Sequence, residues 1–337
     1  MPKPPAFNRR NLLRAAVYGT LVGGPAIYAL WPRGLDVRDG RHDRGENGIW
    51  LQHGWLGDDT WFVLNHKEDR RAFFRDRAPV EELRARLDKH NIRDLFPHLC
   101  PALPGGALMP VDADATRAFL DVFDGMRVMP WIGGVLGASV FLDDEQWQAA
   151  FVSSTARLLA DHPRLAGVHL NVEPCPDGHP GFLLLLEALR AAAPGKLLSV
   201  AAFPPPSILH PHSDVHWGER FYRDIAARCD QIVPMLYNTG LFLRQPYRAL
   251  VRDWAREVLA WCGPTEVLLG LPAYGDNGVG YHDPDVENLD DSLLGVHEAL
   301  SQFEVLPEHY RGIATYSEWT MTDEAWQSLR ACFVRNG

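Results

Sequence analysis

Eight short apolar segments alternate with amphipathic segments along most of the chain, and this alternation constrains the fold more than any other feature. The strand candidates cover residues 48–53, 92–99, 127–132, 166–173, 196–203, 231–237, 266–273 and 312–318. The helical candidates cover residues 80–89, 113–123, 144–161, 182–193, 217–228, 247–262, 292–303 and 322–334. This alternation predicts an α/β fold, the (β/α)8 or TIM barrel, over residues 47–337. A doubly wound open sheet is the competing fold, but no glycine-rich phosphate loop follows the first strand.

The fourth strand candidate indicates how such a barrel would use its strand ends. Apolar and polar side chains alternate along it, in the order Val168, His169, Leu170, Asn171, Val172 and Glu173. A period of two sends the polar set into the barrel interior and the apolar set under the helices. Pro174 cannot donate to the strand ladder, so Glu173 is expected at the C-terminal mouth, where barrel enzymes carry their catalytic groups. An edge strand with one solvated face is the alternative.

Charge and cysteine content exclude several classes of protein. The net charge of −10 argues against a nucleic-acid partner, which would need a basic surface. The five cysteines are widely spaced and form no C-x-x-C pair, so a zinc ribbon or a disulfide scaffold is not indicated. The run His210, His212 and His216 lies in a proline-rich loop without further ligand clusters. We therefore predict neither a metal nor a cofactor.

Residues 1–31 resemble a twin-arginine export signal. Arg9 and Arg10 precede an apolar run over residues 15–31, which at roughly 17 residues is close to the lower limit for a membrane span. The best candidate for a cleavage site is Gly24-Pro25-Ala26, so cleavage and retention as a membrane anchor both stay open. We expect export to the periplasm or cell envelope, with attachment to the inner membrane if the segment is retained. A cytoplasmic protein with an apolar first helix is the alternative, and residues 32–46 are predicted to be a linker.

Aromatic and amide side chains collect at the predicted strand ends. They include His53, Trp55, Trp61, His98, Trp131, Asn171, Asn238, Tyr274, Tyr316 and Trp319. Aromatic rings present a large apolar face that suits the C–H faces of sugars, while amides and carboxylates bind sugar hydroxyls. Few positive charges stand among them. The mouth therefore favours a glycan over a phosphate or nucleotide ligand, in a protein that we expect to be a monomer.

Four fragments in order resemble glycoside hydrolase family 18, the chitinase-like barrels. The family's fourth-strand motif D-G-x-D-x-D-x-E aligns with residues 166–173, and its third-strand S-x-G-G with residues 131–134. Its sixth-strand M-x-Y-D/N is matched by residues 235–238, and its seventh-strand G-x-P-x-Y-G by residues 270–275. The resemblance covers the chain from about residue 47 to the end.

The resemblance implies a hydrolase that cleaves N-acetylhexosamine-containing glycans by substrate-assisted acid/base catalysis. Glu173 takes the place of the general acid, Asn171 that of the aspartate that orients the substrate's acetamido group, and Tyr237 that of the tyrosine that contacts its carbonyl. The resemblance and the composition of the mouth together predict substrate-binding roles for Trp55, Trp131, His169, Asn238, Tyr274, Tyr316, Glu318 and Trp319.

Departures from the motif leave alternatives open. Asn171 replaces the critical aspartate, and an amide holds the acetamido group without supplying negative charge, so a non-catalytic carbohydrate-binding barrel is one alternative. A two-carboxylate glycosidase that uses Glu173 and Glu318 is another. His169 also replaces an aspartate, and a buried histidine satisfied by a neighbouring hydroxyl or amide competes with a role at the site. Trp55 and Trp131 compete as core residues. The glycan and its linkage stay open, as does the choice between internal and terminal cleavage.

Overall fold

Nine parallel strands form the sheet within residues 31–275 and 281–335, which this computed structural model describes. They are β1 Asn47–Leu51, β2 Ile92–Pro97, β3 Arg127–Val128, β4 Trp131–Val135, β5 Gly167–Glu173, β6 Leu197–Ala202, β7 Gln231–Pro234, β8 Glu266–Pro272 and β9 Tyr310–Tyr316. The α-helices of this part of the chain are α1 Asp59–Leu64, α2 Arg71–Arg75, α3 Arg77–Lys89, α4 Ala113–Val122, α5 Glu145–Asp161, α6 Pro180–Ala192, α7 Glu219–Ala226, α8 Arg244–Trp261, α9 Leu289–Leu300 and α10 Asp323–Cys332.

The sheet closes into a barrel because β3 and β4 are two parts of one barrel strand. The strand order is β3-β2-β1-β9-β8-β7-β6-β5-β4, so β3 pairs with β2 at one end and β4 with β5 at the other. Between them the Met129 N–H donates to Leu95 O at 2.8 Å, and Pro130 O accepts from the His169 N–H at 2.9 Å. The protein is therefore a (β/α)8 barrel, and the open sheet is excluded.

Side-chain caps fix where several helices begin. The Asp112 carboxylate accepts the Ala115 N–H at the start of α4, and Thr322 caps α10 in the same way. Such caps satisfy backbone donors that the first helical turn leaves free. All eight helices expected from the sequence are present, with ends that differ by a few residues. The two short helices α1 and α2, in the connection after β1, were not predicted.

The alternation along β5 separates two apolar layers. Val168, Leu170 and Val172 lie in the large core between the strands and the outer helices. A second, smaller cluster fills the barrel interior, and its members are Trp50, Phe96, Cys100, Met129, Trp131, Val233, Leu268 and Ala314. The His169 ring points into this interior, where it stacks on Phe96 with ring centroids 4.1 Å apart. The period of two is therefore observed as predicted.

A chain of hydrogen bonds crosses the barrel interior. Its members in order are Trp50, His169, Ser199, Gln231, Asp94 and Arg127, with distances between 2.6 and 3.1 Å. His169 bonds to Trp50 through Nε2 and to Ser199 through Nδ1, so both ring nitrogens are satisfied. Burial lowers the pKa of His169 to about 3, so the ring is neutral at physiological pH. Polar groups buried in this way are tolerated because each has a partner.

The segment predicted to be a linker packs against the outer helices. The Leu35 N–H donates to Leu294 O on α9 at 3.0 Å, and Arg248 on α8 donates to Arg33 O at 2.8 Å. Further along, His42 lies buried with its Nδ1 2.8 Å from that of His297. The predicted export signal falls, except for residue 31, outside the described residues. Among the helices that are described, none has the length and apolar character needed to span a bilayer.

Candidate active site

Glu173 ends β5 at the C-terminal mouth of the barrel, with a half-buried carboxyl group. The Asn171 amide donates from Nδ2 to Glu173 Oε1 at 2.6 Å. Burial raises the pKa of Glu173, and the hydrogen bond from Asn171 offsets part of that rise. The carboxyl therefore keeps its proton to a higher pH than a solvated glutamate, as a general acid requires. Asn171 Oδ1 is buried and has no hydrogen-bond partner among the described residues.

The glycine pair on β4 allows the backbone of β5 to approach closely beside Asn171. Gly133 pairs with Asn171 and has φ +115°, and a Cβ atom on it would lie 2.0 Å from Asn171 O. At Gly134, with φ +141°, a Cβ would lie 2.3 Å from Ser139 Oγ. Only glycine combines this backbone conformation with this close contact. The Gly-Gly part of the third-strand motif is therefore a requirement of the geometry at the mouth.

Three tyrosines cluster within the electrostatic reach of Glu173. The ring centroids of Tyr237, Tyr274 and Tyr316 lie between 5.5 and 6.0 Å apart. The pKa of each hydroxyl is raised, chiefly by burial, and the negative charge of Glu173 contributes to all three shifts. The Tyr274 hydroxyl donates to Asn238 Oδ1. These predicted residues therefore do come together, next to the candidate acid.

A column of four stacked rings forms the wall of the mouth near β1 and β2. The successive centroid distances are 4.0 Å from Trp61 to His53, 3.9 Å from His53 to His98, and 3.9 Å from His98 to Trp131. The buried Asp58 carboxylate lies 2.5 Å from His53 Nδ1, a contact that was not predicted from the sequence. Trp319 lies parallel to His98 and is 37% exposed, so part of its surface is accessible to a ligand.

Three residues predicted to bind substrate do not face the mouth. Trp55 is only 3% exposed and packs against Phe74, with ring centroids 4.9 Å apart, beneath the outer helices. His169 has no exposed surface, so its role is the internal hydrogen bonding described above. The Glu318 carboxyl turns toward Gln52 and Trp55, and burial raises its pKa to about 7, although the nearby polar groups of those two residues lower it in part. The predicted substrate contacts are therefore corrected: Trp55 packs in the core, and His169 belongs to the hydrogen-bond chain of the barrel interior.

The histidine run near β6 is a buried pair rather than a ligand cluster. His210 Nδ1 and His216 Nε2 are 2.7 Å apart, and burial lowers the pKa of His210 to about 3. Within the described ranges, no group of three or more histidine, cysteine, aspartate or glutamate side chains is arranged to hold a metal ion.

Comparison with known proteins shows similarity of fold at low sequence identity. No protein-family model and no curated protein sequence matches the chain. The Bacillus megaterium spore cortex-lytic enzyme SleL superposes with a TM-score of 0.57 at 13% identity, over 86% of this chain and 74% of that one. The Chromobacterium violaceum chitinase gives 0.52 at 15% identity, over 85% and 98%. A fungal endo-β-N-acetylglucosaminidase of glycosyl hydrolase family 18 gives 0.53 at 15% identity, over 85% and 96%.

Proposed function

We propose that the protein is a glycoside hydrolase that cleaves N-acetylhexosamine-containing glycans, with Glu173 as general acid and base. The observation that carries this proposal is the half-buried Glu173 carboxyl at the barrel mouth, with a raised pKa, an amide neighbour and a ring of tyrosines. The chitinases and the endo-β-N-acetylglucosaminidase among the structural neighbours lend support, since their names describe such substrates.

The proposed reaction has two steps. In the first, the carbonyl oxygen of the substrate's 2-acetamido group attacks the anomeric carbon while the glycosidic C–O bond breaks, and Glu173 gives its proton to the departing oxygen. In the second, the Glu173 carboxylate takes a proton from water, which attacks the anomeric carbon and reopens the oxazolinium ring. Asn171 Oδ1, which is buried without a partner in the described structure, is free to accept the acetamido N–H. Tyr237 supplies a hydroxyl for the acetamido carbonyl.

The two-carboxylate alternative receives less support. The pKa of Glu173 responds to its burial and to Asn171, and no second carboxylate contributes to the shift. Glu318 instead interacts with Gln52 and Trp55, on the side of β1. A nucleophilic carboxylate about 5 Å from the acid would affect the acid's titration strongly. A carbohydrate-binding barrel without catalysis stays the main competitor, because the same cleft would serve it.

The decisive experiment compares Glu173→Gln and Glu318→Gln with the wild type on acetylated and deacetylated chitooligosaccharides. We expect the wild type to release reducing ends from the acetylated substrates alone. Glu173→Gln should lose this activity by about a hundredfold or more, while it still binds the glycan. Glu318→Gln should keep it. Saturable binding without release by the wild type would identify a carbohydrate-binding barrel, and equal losses in the two variants would favour the two-carboxylate mechanism.

We further propose that residues 1–31 export the protein to the periplasm or cell envelope, where it would act on its glycan as a monomer. The support is the sequence alone, in which Arg9 and Arg10 precede the apolar run. Cell fractionation of the wild type beside a variant with lysine at both positions tests this. An unchanged distribution of the two proteins would contradict export by a twin-arginine route.

A further inference from the structure

The loop that carries Asn238 is fastened by a buried carboxylate from a distant part of the chain, Glu287. The Thr239 N–H donates to Glu287 Oε2 and the Gly240 N–H donates to Glu287 Oε1, each at 2.9 Å. The Glu287 side chain has no exposed surface. Asn238 and Gly240 both have φ +64°, a left-handed backbone that turns successive N–H groups toward one anion. Hydrogen bonds to a carboxylate in such a site are stronger than those to a neutral acceptor.

A second set of contacts joins Glu287 to Tyr274. The His282 ring stacks on the Tyr274 ring, with centroids 4.0 Å apart and an interplanar angle of 20°. His282 Nε2 donates to Tyr274 O at 3.1 Å, and His282 Nδ1 lies 3.8 Å from Glu287 Oε2. Since the Tyr274 hydroxyl donates to Asn238 Oδ1, these contacts form a circuit that starts and ends at Glu287, in which the step from His282 Nδ1 to Glu287 is a close approach and not a hydrogen bond.

This circuit stands beside the candidate acid. Tyr237, one of the tyrosines around Glu173, immediately precedes Asn238 in the chain. After burial, the negative charges of Glu287 and Glu173 both contribute to the raised pKa of Tyr274. Tyr274 therefore lies within the electrostatic reach of both carboxylates, of which Glu287 is fully buried.

We propose that Glu287 is a positioning residue, which holds the backbone of residues 238–240 so that Asn238 and Tyr274 meet an N-acetylated sugar bound at Glu173. This inference rests on the proposed function for the identity of the ligand. Without the carboxylate, the buried Thr239 N–H would lose its acceptor, while the half-buried Gly240 N–H would keep only Tyr281 O, to which it also donates at 2.7 Å. A buried N–H without an acceptor destabilises the conformation of its loop. Asn238 would then move away from Tyr274, and the sugar would bind more weakly.

The test uses Glu287→Gln, which keeps the side-chain size but turns an NH2 group toward one of the two backbone N–H groups. Binding of chitotetraose is measured by calorimetry in the Glu173→Gln background, so that no turnover interferes. We expect about tenfold weaker binding than in the background protein. When Tyr274→Phe is already present, Glu287→Gln should weaken chitotetraose binding by only about a further twofold, because the hydrogen bond from Tyr274 to Asn238 is already lost.

Asp43→Asn is the matched control. Asp43 is a buried carboxylate at the opposite end of the barrel, and it also accepts two backbone N–H groups, from Gly45 at 2.8 Å and from Arg335 at 2.9 Å. This variant, like Glu287→Gln, should lower the unfolding midpoint, but it should leave chitotetraose affinity unchanged. Equal losses of affinity in the two variants, or additive losses with Tyr274→Phe, would overturn the positioning role.

A crystal structure of the Glu287→Gln variant separates this proposal from the proposed function. Displacement of Asn238 from Tyr274 supports the positioning role even if the wild type proves not to bind chitotetraose, in which case only the assignment of the ligand fails. An undisturbed contact between Asn238 and Tyr274 refutes the positioning role whatever the protein binds.

Discussion

Replacement of Glu318 by glutamine should remove one pH-dependent contribution to the stability of the barrel. Glu318 opens the single 3-10 turn that follows β9, and its Oε2 atom is buried without a hydrogen-bond partner among the described residues. Burial raises the pKa of this carboxyl to about 7, and the nearby polar groups of Gln52 and Trp55 reverse only part of the shift. The folded state therefore favours the protonated form of Glu318.

The size of the effect follows from the difference between the two states. In the unfolded chain the carboxyl has its ordinary pKa of 4.5, against about 7 in the fold. Between these values the folded protein keeps a proton that the unfolded chain has lost, so the free energy of unfolding falls as the pH rises. At about 1.4 kcal/mol per pH unit, the whole contribution is on the order of 3 kcal/mol. It is fully present below the unfolded pKa and is lost once the pH passes the folded value.

The assay is urea unfolding of the wild type and Glu318→Gln at about pH 5 and about pH 8. The buried His98 and His169, whose pKa values burial lowers, change stability in the opposite sense, and the comparison between two proteins cancels them. Relative to the wild type, the variant should gain about 2–3 kcal/mol between the lower and the higher pH. Glu304→Gln, at an exposed position, controls for net charge. A difference between wild type and Glu318→Gln that does not change with pH would refute the reasoning.

Two further predictions concern the neighbours of Glu173. Asn171→Asp would replace a donor 2.6 Å from Glu173 Oε1 with a second carboxyl. The pair would then share one proton, and the alkaline limb of the kcat/KM profile should move up by about one to three pH units, measured on a chitooligosaccharide; a downward move would contradict this. Gly133→Ala should lower the free energy of unfolding by about 3–5 kcal/mol in urea, because backbone strain adds to the clash with Asn171. Gly137→Ala, with φ +78° and open space around it, should cost about 1 kcal/mol, and equal losses would contradict the role of the close contact.

The fold could be predicted from the sequence because the periods of two and 3.6 repeat eight times. Each β-strand buries an apolar face, and each of the eight expected helices has an apolar side. Each segment therefore shows its own hydrophobic period in the sequence. Helices α1 and α2 span six and five residues, too short for a helical period to stand out. They belong to the connection that follows β1, and connecting segments show no regular hydrophobic period from which a helix could be predicted.

The errors at the site have physical reasons that sequence spacing does not encode. Gly54, with φ +105°, packs against the Phe74 ring and turns the chain, so Trp55 goes under the helices instead of into the mouth. His169 points into the barrel as expected, but the period does not say that it lies one layer deeper than Asn171. At Glu318 the 3-10 turn ends the strand alternation. Glu287 was missed because its partners lie nearly fifty residues away.

The hydrogen-bond chain inside the barrel has a direction as well as a sequence of members. Arg127 donates to both oxygens of Asp94, so that carboxylate offers only lone pairs to the Gln231 amide. The amide oxygen must then receive the Ser199 hydroxyl proton, and Ser199 in turn must receive the proton on His169 Nδ1. The tautomer of a ring one layer below the candidate acid is thus fixed from both sides, by the Trp50 N–H at Nε2 and by the chain of acceptors from Ser199 to Asp94 at Nδ1. From Trp50 to Asp94 the donors all point toward the carboxylate, and Arg127 donates to it from the other side, so the floor of the cleft has a fixed electrical polarity before any ligand arrives.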